Sequence, residues 1–351
     1  MLTGTTDLRR PLALTRLPNL VFAGLLALYA VVLGRNTAHG MFDFRIFRAA
    51  GGAILDGHSP WSVHGFVYPA PAAITFVPFA ALPFAVSAAL YAVVATAALA
   101  GTLWVLEVRD WRCYAVVFVS FPAMTSVSTG TLSGVLALAA ALVWRFRDRR
   151  WMAAVALGAA IALKIVLWPL VVWLVLTRRF RAAALSLATT ATLMLLAVAV
   201  TGRATVTSLH ASTHYALQTG RSSYSVYALL RALGVSEGTA PLIALALGGA
   251  LLLASTRARD ERHSFTLAIA AALVVSPVVW IHYLVLLFVP IAITRPRVSV
   301  VWLLPSAFLV FGSDAGAYGS IPRIALVLAV SAATLALLFR VAGSEASSSA
   351  Y

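Results

Sequence analysis

Apolar residues run in long blocks through most of the chain, and short polar turns rich in arginine separate them. A helix needs about 20 apolar residues to cross the hydrocarbon core of a bilayer. Residues 18–34, 84–106, 111–128, 132–144, 182–201, 241–255, 298–312 and 322–339 read as single spans on that basis. Two further blocks, 151–177 and 264–294, are too long for one comfortable span and short for two. Basic turns bound each of them at both ends, RFRDRR and RRFR for the first, RARDERH and RPR for the second. Basic turns favour the cytoplasmic side. Both ends of each block then lie on one side, and each block is expected to be a hairpin of two short helices. The first hairpin turns near Lys164 and the second within SPVVWIHY, residues 276–283. Half-helices of this kind are tolerated inside a bundle where their ends line a polar cavity.

Parity constrains the rest. The turn EVRDWR, residues 107–112, is expected on the cytoplasmic side, so block 84–106 runs inward. The stretch 68–82 then cannot be a full crossing. It carries Pro69, Pro71 and Pro78, with Pro83 just after, each of which removes a backbone donor. It reads as a re-entrant or interfacial element. The sum is about twelve crossings of helical length with both termini cytoplasmic and outer loops at 35–67, 202–238 and 313–320. Residues 1–340 are expected to form one integral membrane domain, and 341–351 a small, polar, disordered cytoplasmic tail.

Composition agrees with this class. The chain of 351 residues is 62% hydrophobic and 11% charged, against about 25% charged for a soluble domain. Its net charge of +15 comes from 25 arginines and a single lysine. The arginines cluster in turns between spans, so they speak for membrane orientation and not for nucleic acid. One cysteine, Cys113, leaves no internal disulfide and suggests no thiolate metal site. The basic N-terminus leads into an apolar run without a small-residue cleavage site, which reads as a retained first span.

Only 11 residues are acidic, so their placement narrows the chemistry. Asp7 and Glu345 fall in tails, and Glu107, Asp110, Asp148, Asp260 and Glu261 in cytoplasmic turns. Asp43, Asp56, Glu237 and Asp314 remain outside. Asp56 precedes Gly57 and suits a turn, Glu237 suits a helix start, and Asp314 suits a turn or a minor place in a pocket. Asp43 stands between the first span and the proline-broken stretch, beside Arg45 and Arg48. It suits the N-cap of a helix 44–55 that buries Phe44, Phe47, Gly51 and Ile54. It equally suits a general base, which needs a fixed position within reach of the hydroxyl it deprotonates.

Lys164 stands alone in an apolar run, where an ionisable group is a functional candidate whose natural partner is an anion such as a lipid phosphate. Snorkelling to an interface is the plainer role. Six of the seven histidines, His39, His58, His64, His210, His214 and His282, fall outside, with no zinc-binding spacing. His282 sits between Trp280 and Tyr283 at a hairpin turn, although Trp280 by itself also suits an aromatic belt. No DxD pair occurs, so a metal-clamped diphosphate donor is not indicated and no cofactor is expected.

These motifs together resemble glycosyltransferase family 87, the polyprenyl-phosphate-sugar-dependent membrane enzymes of the GT-C type. The resemblance rests on DFRIFR (43–48), LDGHSPW (55–61), YPAP (68–71), Lys164 with Pro169, and SPVVWIHY, and covers roughly residues 18–295. It implies an all-α GT-C bundle in the plasma membrane with its site on the extracytoplasmic face. It also implies an inverting transfer of mannose from polyprenyl-phosphate-mannose to a glycolipid or lipoglycan hydroxyl, forming an α-1,2 linkage. Asp43 would be the base, and Arg48, Tyr68, Lys164, Arg231, Trp280 and His282 would bind substrate. The chain departs from the pattern at Gly130–Thr131 in place of GQ, at Tyr283 in place of a second histidine, and at Ser223 ahead of Ser225 and Arg231. α-Arabinofuranosyl transfer is the alternative within the same chemistry, and a transporter or flippase of lipid-linked sugars the alternative outside it.

Overall fold

The computed structural model describes residues 19–202, 215–311 and 316–348, and every regular element among them is helical. The helices are α1 (Asn19–His39), α2 (Phe42–Leu55), α3 (Ala70–Thr75), α4 (Val77–Ala80), α5 (Phe84–Val105) and α6 (Trp111–Val119). They continue as α7 (Phe121–Thr129), α8 (Ser133–Arg145), α9 (Arg150–Leu163), α10 (Pro169–Leu176), α11 (Phe180–Thr201) and α12 (Val226–Ala232). The last are α13 (Thr239–Ser255), α14 (Glu261–Val275), α15 (Phe288–Thr294), α16 (Val300–Leu303), α17 (Phe308–Phe311) and α18 (Ile321–Ser348).

Among the described residues, 3 helices are long and apolar enough to cross a membrane alone: Phe84–Val105, Phe180–Thr201 and Ile321–Phe339. A fourth span results if α7 and α8, bent by 119° at their junction, are counted together. The expected blocks are more broken than their hydropathy suggests, and the breaks have local causes. Block 111–128 divides at Ser120, whose hydroxyl accepts a hydrogen bond from the Ala123 amide at 3.4 Å and caps α7. Pro122 follows in the first turn, where its missing N–H costs nothing. Block 298–312 divides into α16, a 3-10 turn Leu304–Ala307 containing Pro305, and α17. The stretch 68–82 is the pair of short helices α3 and α4, which pack against α2.

Both long blocks fold back on themselves. Lys164 is extended (φ −161°, ψ 119°) and ends α9, and a 3-10 turn Ile165–Leu167 leads into α10. Arg179, just past α10, meets Asp148, just before α9, at 2.8 Å, which returns the chain to its starting level. In the second block α14 packs against α15, and residues 276–280 and the 3-10 segment Ile281–Leu287 form the connection. Trp173 of α10 donates to the Ser264 hydroxyl of α14 at 2.9 Å, which ties one hairpin to the other near their bases.

The charged turns gather at that base. Arg147 and Arg179 share Glu261 at 2.7 and 2.5 Å, and Arg145 pairs with Glu107 at 2.7 Å. Asp110 pairs with Arg112 at 2.8 Å and accepts the Val298 amide at 3.0 Å. Exposed ion pairs stabilise little individually, about 0–1 kcal/mol. Their value here is topological, because one connected set of contacts places the basic turns of five separate loops at one end of the bundle.

α18 continues to Ser348. Its alanines and glutamate favour helix, and no proline stops it. Asp7, His210, His214 and Asp314 lie outside the described residues, as do the side chains of His39 and Glu345.

Candidate active site

At the other end of the bundle from the ion pairs, a cavity of about 720 Å³ opens between α2 with the segment that follows it and the tips of both hairpins. α2 contributes Asp43 and Ile46, the following loop His64 and Tyr68, and α7 Thr125 and Thr129. Lys164 comes from the first hairpin tip, and Trp280, His282 and Tyr283 from the second.

Asp43 is placed by close backbone packing. The helix begins two residues earlier than expected, with Met41 as its N-cap in a left-handed conformation (φ 62°) and no side-chain cap bond. Asp43 is therefore in the first turn and does not cap. Its charge still complements the helix dipole there. The Met41 amide donates to the Ser128 carbonyl at 2.8 Å, which fixes the start of α2 against the end of α7. Gly130 ends α7 at φ +74°, and a Cβ there would lie 2.5 Å from that of Phe44. Only glycine allows so close an approach in that conformation. Phe44 in turn stacks on Tyr91, with ring centroids 5.1 Å apart, and Tyr91 donates to the Thr131 carbonyl at 2.8 Å. The Gly130–Thr131 turn thus seats the residue next to Asp43.

Among the described residues the Asp43 carboxylate has no hydrogen bond or ion pair. Burial pushes its pKa up to about 6, against the pull of the Lys164 charge. Near neutral pH a carboxylate so tuned is ionised and still basic enough to take a proton.

Lys164 does not snorkel to an interface. It is 8% exposed. Among the described residues its nitrogen has no hydrogen-bond partner, and it lies 4.0 Å from the Tyr283 ring centroid and 5.1 Å from that of Tyr68. His282 is buried, and its Nε2 likewise has no partner. Two buried nitrogens without partners on one cavity wall are costly unless a ligand's acceptors reach them.

The SPVVWIHY element is held from behind. Ser225 donates to the Pro277 carbonyl at 2.8 Å, and the Tyr224 amide donates to the Val279 carbonyl at 2.8 Å. Ser223 bonds Ser225 at 3.1 Å, which gives this serine, one of the departures from the expected pattern, a structural task. Gly316 (φ +89°) backs the Trp280 indole so closely that a Cβ would lie 2.5 Å from the ring.

Five of the seven residues expected at the site, Asp43, Tyr68, Lys164, Trp280 and His282, line this cavity. Arg48 and Arg231 do not. Arg48 donates to the carbonyls of Leu82 and Ala80 at 2.7 and 3.3 Å, at and just beyond the end of α4, where helix carbonyls need partners. Arg231 similarly donates to the Val235 carbonyl after α12. Thr125, Thr129 and the cage role of Tyr283 were not anticipated. Nothing in the local pattern of α7 marks its threonines as cavity-facing.

The model of glycosyltransferase family 87 matches residues 66–280. The chain belongs to glycosyltransferase family 87. It is accordingly a membrane glycosyltransferase, which moves a sugar from a donor to an acceptor. No curated protein and no solved structure matches it. Tyr68, Lys164, Arg231 and Trp280 fall within the matched stretch of the transferase, whereas Asp43 and Arg48 precede it and His282 follows it.

Proposed function

We propose that this transferase moves a mannosyl residue from polyprenyl-phosphate-mannose to a sugar hydroxyl of a cell-envelope glycolipid or lipoglycan, forming an α-1,2 linkage with inversion. The observation that carries the reading is the pairing of an unpartnered carboxylate, Asp43, with an unpartnered amine, Lys164, on one cavity. Asp43 takes the proton of the acceptor hydroxyl. The hydroxyl oxygen forms a bond to the anomeric carbon as the bond from that carbon to the phosphate oxygen breaks. Its electron pair stays on the polyprenyl phosphate, which gains one negative charge. Lys164 and His282 face that charge, where preorganised donors contribute most.

Asp43 is the one carboxylate among the described residues that line the cavity. A double displacement would call for a nucleophile besides the base, and the single carboxylate favours one in-line attack. Tyr68 and Trp280 supply flat surfaces for the sugars. The short, broken helices fit a GT-C bundle of about twelve crossings, set in the plasma membrane with this cavity on the extracytoplasmic face and the ion-paired turns in the cytoplasm.

Transfer from synthetic polyprenyl-phosphate-mannose by purified wild type and Asp43→Asn tests the reading. Wild type is expected to transfer and the variant to lose about three orders of magnitude or more, the scale of general-base catalysis. Full transfer by the variant would remove Asp43 from the mechanism. Transfer from polyprenyl-phosphate-arabinose alone would replace mannose, and use of neither donor would sink the assignment.

A further inference from the structure

A second cavity, of about 480 Å³, lies at the opposite end of α14 from the first. α14 has 15 residues and spans about 22 Å. Its last residue, Val275, lines the first cavity, and its third, His263, lines the second. The second cavity therefore sits at the level of the ion-paired turns. Arg257 and Arg259 stand at its rim, His263 in its wall, and Leu267 and Phe339 form its apolar side.

The local charge balance is unusual. Asp260 and Glu261 follow the two arginines in sequence, yet neither neutralises them. Asp260 faces Nδ1 of His263 at 2.9 Å and accepts the His263 amide at 2.9 Å. Glu261 is taken by Arg147 and Arg179. Among the described residues the guanidiniums of Arg257 and Arg259 have no ion pair or hydrogen bond. His263 is 3% exposed and stacks on Phe339 with centroids 4.7 Å apart, and its Nε2 has no hydrogen-bond partner. Two uncompensated guanidiniums at the mouth of a cavity ask for a multidentate anion. The apolar wall asks that this anion carry a hydrocarbon chain.

We propose that this cavity binds the phosphate of an anionic membrane lipid, with Arg257 and Arg259 on the phosphate oxygens, His263 at its base and the acyl chain along Leu267 and Phe339. The site is separate from the sugar-transfer cavity and does not depend on which sugar is moved.

Native mass spectrometry of the full-length protein, offered phosphatidylglycerol or phosphatidylcholine, reads the preference directly. Wild type is expected to retain phosphatidylglycerol about tenfold better, and Arg257→Gln/Arg259→Gln to lose that preference. Sugar transfer by the double variant in phosphatidylcholine bilayers is expected to stay at the wild-type rate, which reports that it folds. Equal retention of phosphatidylglycerol by wild type and variant would overturn the proposal. So would displacement by millimolar inorganic phosphate without preference for the lipid, which would assign the site to a soluble phosphate. Photoactivatable phosphatidylglycerol tests the wild type without any substitution. Labelling within residues 257–267 supports the site, and labelling confined elsewhere rejects it.

Discussion

The side-chain nitrogen of Lys164 sits 4.0 Å from the centroid of the Tyr283 ring, so the tips of the two hairpins meet through one lysine and one tyrosine. A ring face attracts a cation without consuming its hydrogen-bond donors, and the attraction is worth about 2 kcal/mol in a desolvated site. Tyr283→Ala is expected to lower kcat/KM for the donor by about tenfold or more, since 1.4 kcal/mol is a factor of ten. Tyr283→Phe keeps the ring and is expected to stay within about threefold of wild type. Initial rates at varied donor concentration compare them, and equal losses in both variants would assign the effect to the hydroxyl instead.

The ionisation of Asp43 sets the pH dependence. Its pKa is raised by burial to about 6, so the base form is lost as pH falls through that value. The acid limb of kcat/KM is expected near pH 6, and not near the ordinary carboxylate value of 3.8. The charge of Lys164 pulls the Asp43 pKa down. Lys164→Met removes that pull, and its residual activity is expected to show an acid limb displaced to higher pH. A limb that stays in place or moves to lower pH would contradict the coupling.

Arg48 separates a structural from a substrate-binding role. Its bonds to the Leu82 and Ala80 carbonyls anchor the end of α4. Losing charged hydrogen bonds of this kind costs about 1.5–3 kcal/mol. Arg48→Gln is expected to melt earlier than wild type while the folded fraction keeps its KM for donor and acceptor. A raised KM with unchanged melting would return Arg48 to the substrate.

The chain announces some of this plainly. The only lysine, in the middle of an apolar block with basic turns at both ends, marks a break, because a charge at that depth needs a cavity or a partner. The pattern locates the fold-back at Lys164 for the same reason. The division at Ser120 was equally available, since a serine two residues before Pro122 spells a helix start, but continuous hydropathy masks it. The bonds of Arg48 and Arg231 to carbonyls away from the cavity were not legible, for a different reason. In sequence an arginine looks the same whether it meets a phosphate or a helix-end carbonyl, and the choice depends on where distant helices stop. The cage of Tyr68 and Tyr283 around Lys164 joins residues about a hundred positions apart, and no local period encodes it.

Gly130 is expected to be as sensitive as any polar residue at the site. Gly130→Ala forces a Cβ into a left-handed residue, at about 1–2 kcal/mol, and against the Cβ of Phe44 at 2.5 Å. Because Phe44 adjoins Asp43, relief by shifting α2 would move the carboxylate. The expected outcome is a loss of stability of about 2 kcal/mol or more with a fall in kcat among the molecules that remain folded. Melting curves and rates on the same sample separate the two effects.

Gly316 offers the converse test, because it supports a surface and not a reacting group. A Cβ at this position would lie 2.5 Å from both the Trp280 ring and the Ser222 carbonyl. The Ser222 carbonyl is already engaged, accepting the Ala317 amide at 2.6 Å, so the indole is the part that can yield. It would yield toward the cavity that Trp280 lines. Gly316→Ala is therefore expected to raise KM for one sugar substrate several-fold, while the acid limb set by Asp43 stays at about pH 6. Trp280→Phe, which thins the ring, is expected to relieve part of the defect when combined with Gly316→Ala. Rates for the two single variants and the double variant form a complete cycle. Strict additivity of the losses would show that the glycine does not act through the tryptophan.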